Sequence, residues 1–259
     1  MEIIGLQLYS LRDYLEPGIE TMLRKVADCG FNAVEYAGYY DRQPSELYKL
    51  VTSLGLRSYS THVPFRVIKE KGIPRVIEDA RELKLRYVIC SGNKMNTHED
   101  IGHTAEVMRE LHRQAKEHGM IAGYHNHEHE FRYIDGRYIM DLLLEAVDAE
   151  DFVAEIDTCW AAFAGVDPVN YIAELGVQAG PLHFKDLAVD FDIDDRLSAD
   201  APFGDGLIDF AGILRVMSLA DTLERGVIVE QEYFDGDPYT ILARSVRRIH
   251  RLRDMTERS

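Results

Sequence analysis

Eight short apolar runs, each followed by a stretch of helical spacing, constrain this 259-residue chain more than any other feature. The runs are IIGLQLY (3–9), AVEYA (33–37), LRSYSTH (56–62), RYVICSG (86–92), MIAGYH (120–125), FVAEID (152–157), PLHFKD (181–186) and VIVEQE (227–232). Their length and their β-branched and aromatic content mark them as buried strands. Between them, apolar residues recur three and four apart. Ile19, Met22, Leu23 and Val26 share one face, as do Ile73, Val76, Ile77 and Ala80, and later Ile241, Leu242, Val246, Ile249 and Leu252. TSLGL (52–56) and KEHGM (116–120) place a glycine after a helix and before a strand, a left-handed helix stop. Strands alternating with helices build a parallel sheet, and eight such units close as a (β/α)8 TIM barrel. A doubly wound open sheet is the competing fold. It is disfavoured because the first strand–helix junction carries no GxGxxG. With no Pro/Gly/Ser linker or low-complexity tract, residues 1–259 are expected to form a single domain.

Composition narrows the partners. A net charge of −16 repels nucleic acid phosphates and anionic lipid heads. No apolar run is long enough to span a bilayer, and the opening MEIIGLQLYS lacks the basic start of a signal peptide. Cys29, Cys90 and Cys159 are odd in number and far apart, which predicts no disulfide framework and a reduced, cytoplasmic setting.

In a parallel barrel the C-terminal strand ends converge on one mouth, so the polar residues there are the candidates for chemistry. They are Gln7 and Tyr9, Glu35, His62, His125 with His127 and Glu130 in GYHNHEHEF, Asp157, His183 with Lys185, and Glu230 with Glu232. Burying an unpaired carboxylate costs several kcal/mol. Yet Asp157, His183 and Glu230 each sit at or near the end of an apolar run on three consecutive strands. Singly, each has a structural use: a helix cap for Asp157, a core histidine, an arginine partner for Glu230. Together they form a mixed oxygen and nitrogen set suited to Mn²⁺, Mg²⁺, Co²⁺ or Zn²⁺, with a fourth group expected from strand 5. The histidines of GYHNHEHEF lack helical ligand spacing, so that stretch is one strand's contribution rather than a complete motif.

Taken in order, GLQLYSLR, YHNHEHEF, EIDTCWAAFAGVDP, LHFKD, PFGDGLIDF and IVEQE resemble the xylose-isomerase-like TIM-barrel superfamily, in its sugar phosphate isomerase/epimerase branch. The resemblance spans essentially the whole chain. It implies one divalent metal, most often Mn²⁺, held by Glu, Asp, His and Glu from strands 5 to 8. Three of these fall on Asp157, His183 and Glu230. At strand 5 this sequence has His125 where the glutamate is expected. Either Glu130 supplies that ligand, leaving His125 and His127 as bases, or His125 is itself a ligand. The resemblance further implies a sugar or keto-sugar substrate and proton abstraction beside a carbonyl through an enediolate. Its dehydratase-like members share a His-x-His here, so elimination is the alternative outcome. Lys185 is then a catalytic candidate, and His62, Glu35, Trp160 and Glu232 are substrate-binding candidates. FGDGLID (203–209) could seat a phosphate on its glycine amides, but Asp205 and the few nearby basic residues favour a neutral sugar. The superfamily's apurinic endonucleases are excluded by charge and by the sparse histidine set. A non-catalytic sugar- or metal-binding barrel is the reading from another class, and a homodimer would be common for such a barrel.

Overall fold

The computed structural model describes residues 3–256. Each expected strand forms: β1 (Ile4–Gln7), β2 (Ala33–Tyr36), β3 (Arg57–Val63), β4 (Tyr87–Cys90), β5 (Ile121–His125), β6 (Val153–Glu155), β7 (Leu182–Phe184) and β8 (Val227–Val229). They pair in parallel in the order β6-β5-β4-β3-β2-β1-β8-β7. Parallel bridges Ala154–Ala179 and Asp157–His183 join β6 to β7 and complete the ring. The amide of His183 donates to Ile156 O at 2.9 Å in that seam. The chain is therefore a single (β/α)8 barrel.

Period-two alternation sorts each strand between two apolar regions. Leu6, Val34, Val88, Tyr124, Ala154, Phe184 and Val229 face outward to the helices and belong to the main core. Ala33, Tyr59, Tyr87, Ile89, Val153 and Ile228 fill the barrel interior with Ile3. The predicted helical faces become α1 (Ile19–Asp28), α2 (Pro44–Ser53), α4 (Ile73–Glu82), α5 (His98–Glu117), α6 (Ile139–Val147), α8 (Pro168–Leu175), α9 (Phe210–Leu219) and α10 (Pro238–Thr256). Two short helices, α3 (Phe65–Lys71) and α7 (Thr158–Phe163), were not predicted, because six or seven residues carry too little periodicity. No helix among the described residues is long and apolar enough to cross a membrane.

Apart from β3, the strands are shorter than their apolar runs. After β1, Gln7 Oε1 accepts the Tyr9 amide at 2.9 Å and starts a 3₁₀ turn, Leu8–Tyr14. Past β8, Glu230 to Glu232 leave the sheet and enter the mouth. Close packing inside the ring explains Gly123 on β5. A Cβ there would lie 2.7 Å from Ile89 Cδ1, Val153 Cγ2 and the Val153 carbonyl. At Gly5 the clash is with the flexible tip of Ile228. Gly123→Ala is expected to destabilise by about 1–3 kcal/mol, read as a lower urea midpoint at unchanged slope, and Gly5→Ala by less.

Candidate active site

Above the apolar plug, the same alternation stacks two polar layers inside the barrel. Ala33 is followed by Glu35, Gly123 by His125, Val153 by Glu155 and then Asp157, and Ile228 by Glu230. The lower layer holds Gln7, Glu35, His62, His125, Glu155 and His183. All are buried except His62, whose side chain is only 11% exposed. Glu35 Oε1 accepts from Gln7 Nε2 at 2.7 Å and lies 2.6 Å from His183 Nε2 and 3.1 Å from His62 Nε2. Glu155 Oε2 binds His62 Nε2 at 2.5 Å and faces His125 Nδ1 at 3.2 Å. The rings of His62 and His183 stack, with centroids 4.9 Å apart.

Two carboxylates and three imidazoles in one dry space divide their charge unevenly. Burial alone would raise Glu35, but the His62 and His183 charges hold it low, at about 2. Glu155, buried beside the Glu35 charge, is pushed up to about 7. Burial opposes protonation of His62 and His183, yet the two glutamates win and raise both. His125 goes the other way: burial and the charges on His183 and His62 keep it neutral.

The upper layer contains Asp157, His183 and Glu230, whose ligand atoms lie within 4.8 Å of one another. His183 bridges the layers. Its Nε2 faces Glu35, so Nδ1 points to Glu230 Oε2, 2.9 Å away. That contact is misaligned for a hydrogen bond, and Asp157 Oδ2 is also buried without a partner. Two atoms bound to one octahedral cation at about 2.1 Å stand roughly 3.0 Å apart, so the spacing is that of co-ligands. Lys185 sits among Asp157, Asp200, Glu230 and Glu232. Burial disfavours its charge, but these carboxylates keep it protonated. It touches Glu230 Oε1 at 3.3 Å and pairs closely with Glu232. His62, His125, Glu155 and His183 make a second convergent set. There Glu155 Oε2 is already held by the two imidazoles, although Glu155 Oε1 and Glu35 Oε2 stay unpartnered.

Local structure delivers these groups. Asp157 Oδ1 accepts the Trp160 amide at 2.9 Å and so caps α7, which leaves Oδ2 for the site. Asn126 fixes the same turn by accepting the Asp157 amide at 3.0 Å. Glu130 is not brought to the triad. The chain turns into a 3₁₀ helix at Glu128–Phe131, and Glu130 closes its cap by accepting the His127 amide at 2.9 Å and Tyr124 OH at 2.8 Å. The strand-5 residue beside the triad is His125, its ring 4.5 Å from that of His183.

A cavity of about 950 Å³ opens above the triad. His62, His125, His127, Lys185, Glu230 and Glu232 reach its wall, whereas Glu35, Asp157 and His183 lie beneath and do not. His127 is kept neutral chiefly by burial, and its Nδ1 has no partner. Trp160 lines the wall too, but its ring already carries Lys185 Nζ at 4.6 Å and Arg196 Cζ at 4.3 Å. The glycine-rich turn offers no phosphate cradle. The amides of Gly204, Gly206 and Ile208 all donate to the Asp186 carboxylate, at 2.8, 2.9 and 3.1 Å.

Two residues escaped the sequence reading. Glu155 stands two positions before Asp157 on one strand, so period two alone placed it inward. Asp200, more than forty residues past Asp157, had no such signal. It arrives through the ribbon pairing Asp186–Leu187 with Asp200–Ala201, and its Oδ2 accepts the Glu232 and Tyr233 amides at 2.9 and 2.8 Å.

The xylose isomerase-like TIM barrel family matches residues 23–252. Two solved structures of sugar phosphate isomerase/epimerases from Parabacteroides distasonis superpose with a TM-score of 0.78. One is 25% identical over 96% of this chain and 98% of its own, the other 23% identical over 95% and 93%. An L-ribulose 3-epimerase superposes with a TM-score of 0.73 at 16% identity, over 100% of this chain and 96% of its own. No curated protein sequence matches the chain.

Proposed function

Because the chain belongs to the xylose isomerase-like TIM barrel family, we propose that it is a divalent-metal-dependent sugar isomerase or epimerase. It moves a proton on the carbon beside the carbonyl of a keto-sugar or related polyol. The observation that carries this reading is the buried triad Asp157, His183 and Glu230, with a partnerless Asp157 oxygen and a misaligned His183–Glu230 contact, under a large cavity. The names of the structural neighbours support the same class.

Asp157, His183 and Glu230 would hold the cation, with His125 next to them as the strand-5 group. Mn²⁺ is the expected ion, with Mg²⁺, Co²⁺ or Zn²⁺ as alternatives. When bound, it supplies Lewis-acid polarisation of the carbonyl and stabilises the negative charge of the enediolate. His127 takes the α-proton: it is neutral, on the cavity wall, and has an unpartnered nitrogen. Lys185 stays an ammonium, so its part is to stabilise a developing oxyanion rather than to act as base. His62 and Glu232, which also line the cavity, orient hydroxyls. Reprotonation on the other face, by a second acid or solvent, inverts the centre. A second reading, loss of a β-oxygen, is favoured by imidazoles at the end of β5 where a two-glutamate epimerase site would need a carboxylate.

The test is incubation with keto-sugars and inososes in D₂O with Mn²⁺. Deuterium at the α-carbon with an inverted centre supports the epimerase, and an enone-type absorbance selects elimination. Neither exchange nor an enone-type absorbance from any member of the panel, with Mn²⁺ or with Mg²⁺, Co²⁺ or Zn²⁺ in its place, sinks both.

Metal uptake carries a pH signature. Burial, helped by the Glu230 charge, pushes Asp157 up to about 7. A ligand must lose its proton, and His183, raised by the Glu155 and Glu35 charges, must lose one as well, so affinity should fall at least tenfold per pH unit below 7 and go on rising above it. Without added metal the sign for folding is opposite. The raised pKa stabilises the fold at acid pH, and that stabilisation is lost as pH rises through about 7. Titration calorimetry in two buffers, which counts the protons released, checks the first statement. A melting series from pH 5 to 9 checks the second.

A further inference from the structure

The cavity is larger than a free sugar requires. A hexose has about twelve non-hydrogen atoms, each needing less than the roughly 30 Å³ of one liquid water, so it fills under about 360 Å³. The cavity measures about 950 Å³, near the top of the range that holds drug-sized ligands. More than half is left over.

The surplus space differs in chemistry from the floor. The ends of β2 and β3 and helix α3 contribute Ala37, Tyr39, Val63, Pro64 and Val67 to its wall. At the rim, Tyr9, Leu197 and Tyr233 line the same cavity while 46%, 87% and 63% exposed, so three large apolar side chains lack cover where a ligand would emerge. The cations on the wall are spoken for. Arg12 lies 3.5 Å from Glu232, Lys71 3.7 Å from Asp79, Lys185 3.3 Å from Glu230 and Arg196 2.9 Å from Glu128. The glycine-rich amides are taken by Asp186. A phosphate would have to compete with these carboxylates for every lysine and arginine on the wall.

We infer that the substrate is a keto-sugar carrying an uncharged aryl substituent, an aryl glycoside whose ketone lies away from the glycosidic carbon, with the sugar ring on the polar floor and the aryl group against the Tyr39–Val63–Val67 wall. One face of Tyr9 carries Arg12 Cζ at 4.2 Å and one face of Tyr39 carries Lys71 Nζ at 5.0 Å, which leaves their edges and second faces, with Tyr233 at the rim, to meet a flat ring rather than a flexible alkyl chain. This assignment rests on the sugar chemistry proposed above, and it adds the size and polarity of what the sugar bears.

The single tryptophan, Trp160, lines this cavity and provides a binding signal. With Mn²⁺ present, its fluorescence is titrated with phenyl and methyl β-D-glucopyranoside, with glucose, and with glucose 6-phosphate; equilibrium dialysis repeats the measurement. Phenyl glucoside is expected to bind at least tenfold tighter than methyl glucoside, and the phosphate no tighter than glucose. In Val67→Asp, with the fold checked by circular dichroism, the phenyl-to-methyl ratio should fall at least fivefold. A ratio near one in the wild type, a preference for the phosphate, or a ratio untouched by Val67→Asp overturns the inference. Deuterium exchange on an unsubstituted keto-sugar is scored separately. Exchange without a phenyl preference removes this inference and keeps the proposed reaction, whereas a phenyl preference without exchange keeps the inference and removes the reaction.

Discussion

Asp157→Asn is expected to fold, to lose metal affinity by about a thousandfold, and to lose turnover by at least as much. The two oxygens of Asp157 have separate duties. Oδ1 caps α7 through the Trp160 amide, and Oδ2 is buried, unpartnered and adjacent to His183 and Glu230. Asparagine caps as well as aspartate, so helix and volume survive. What disappears is one negative charge beside a dication in a site closed to water. Even at an effective dielectric of about 20, that forfeits several kcal/mol, and every 1.4 kcal/mol is about tenfold in affinity. A purely structural aspartate would behave differently. Because burial disfavours its charge, Asp157→Asn should melt higher than the wild type above pH 7 when no metal is added, and should gain little when Mn²⁺ is supplied. Asp157→Ala additionally loses the cap, about 1 kcal/mol, and separates the two duties. Unchanged metal content and turnover in Asp157→Asn would remove the triad from the mechanism. The measurements are metal analysis after gel filtration, melting with and without Mn²⁺, and the exchange assay.

The barrel was legible because its signals are local and repeat. Leu6, Val34 and Val88 on the outer strand faces, and Ile19, Met22, Leu23 and Val26 on α1, each follow from a period of two or 3.6 residues. Eight units leave few ways to close. Asp157, His183 and Glu230 were legible for the same reason: each interrupts an apolar run at an equivalent place. The strand-5 contribution was not, because a loop decides it. Glu130 is five residues past His125, and whether its carboxylate turns back depends on the 3₁₀ turn that instead uses it as a cap. Glu155 lay in plain view within FVAEID. A reading that looks only at strand ends passes over the residue one pleat below. Its partner His62 is ninety-three positions away in sequence, and their 2.5 Å contact exists only once the ring forms.

That lower layer bears on the second large effect, expected at Glu35. Glu35 Oε1 meets Gln7 Nε2 and His183 Nε2 in hydrogen bonds and the His62 imidazole at 3.1 Å as an ion pair, and no solvent reaches it. Glu35→Leu removes the acceptor and keeps the donors buried. Leaving hydrogen-bonded or charged partners alone in an apolar space costs about 3–5 kcal/mol, a large part of a typical domain's stability. Glu35→Gln is different. Its amide oxygen can still accept at the Oε1 position, so the fold should lose far less. The charge is lost, however, and with it the anchor that holds His183 with Nε2 inward and Nδ1 toward Glu230. Partners of this kind set the tautomer and basicity of a ligating imidazole, and their loss commonly lowers metal affinity by about 10- to 100-fold. The two variants therefore part company. Glu35→Leu shows a collapsed urea midpoint, and Glu35→Gln shows a near-normal midpoint with weakened Mn²⁺ binding. Equal stability losses in both would mean that Glu35 matters by its charge to the fold. A Glu35→Gln protein with wild-type metal affinity would mean that His183 needs no anchor beneath it.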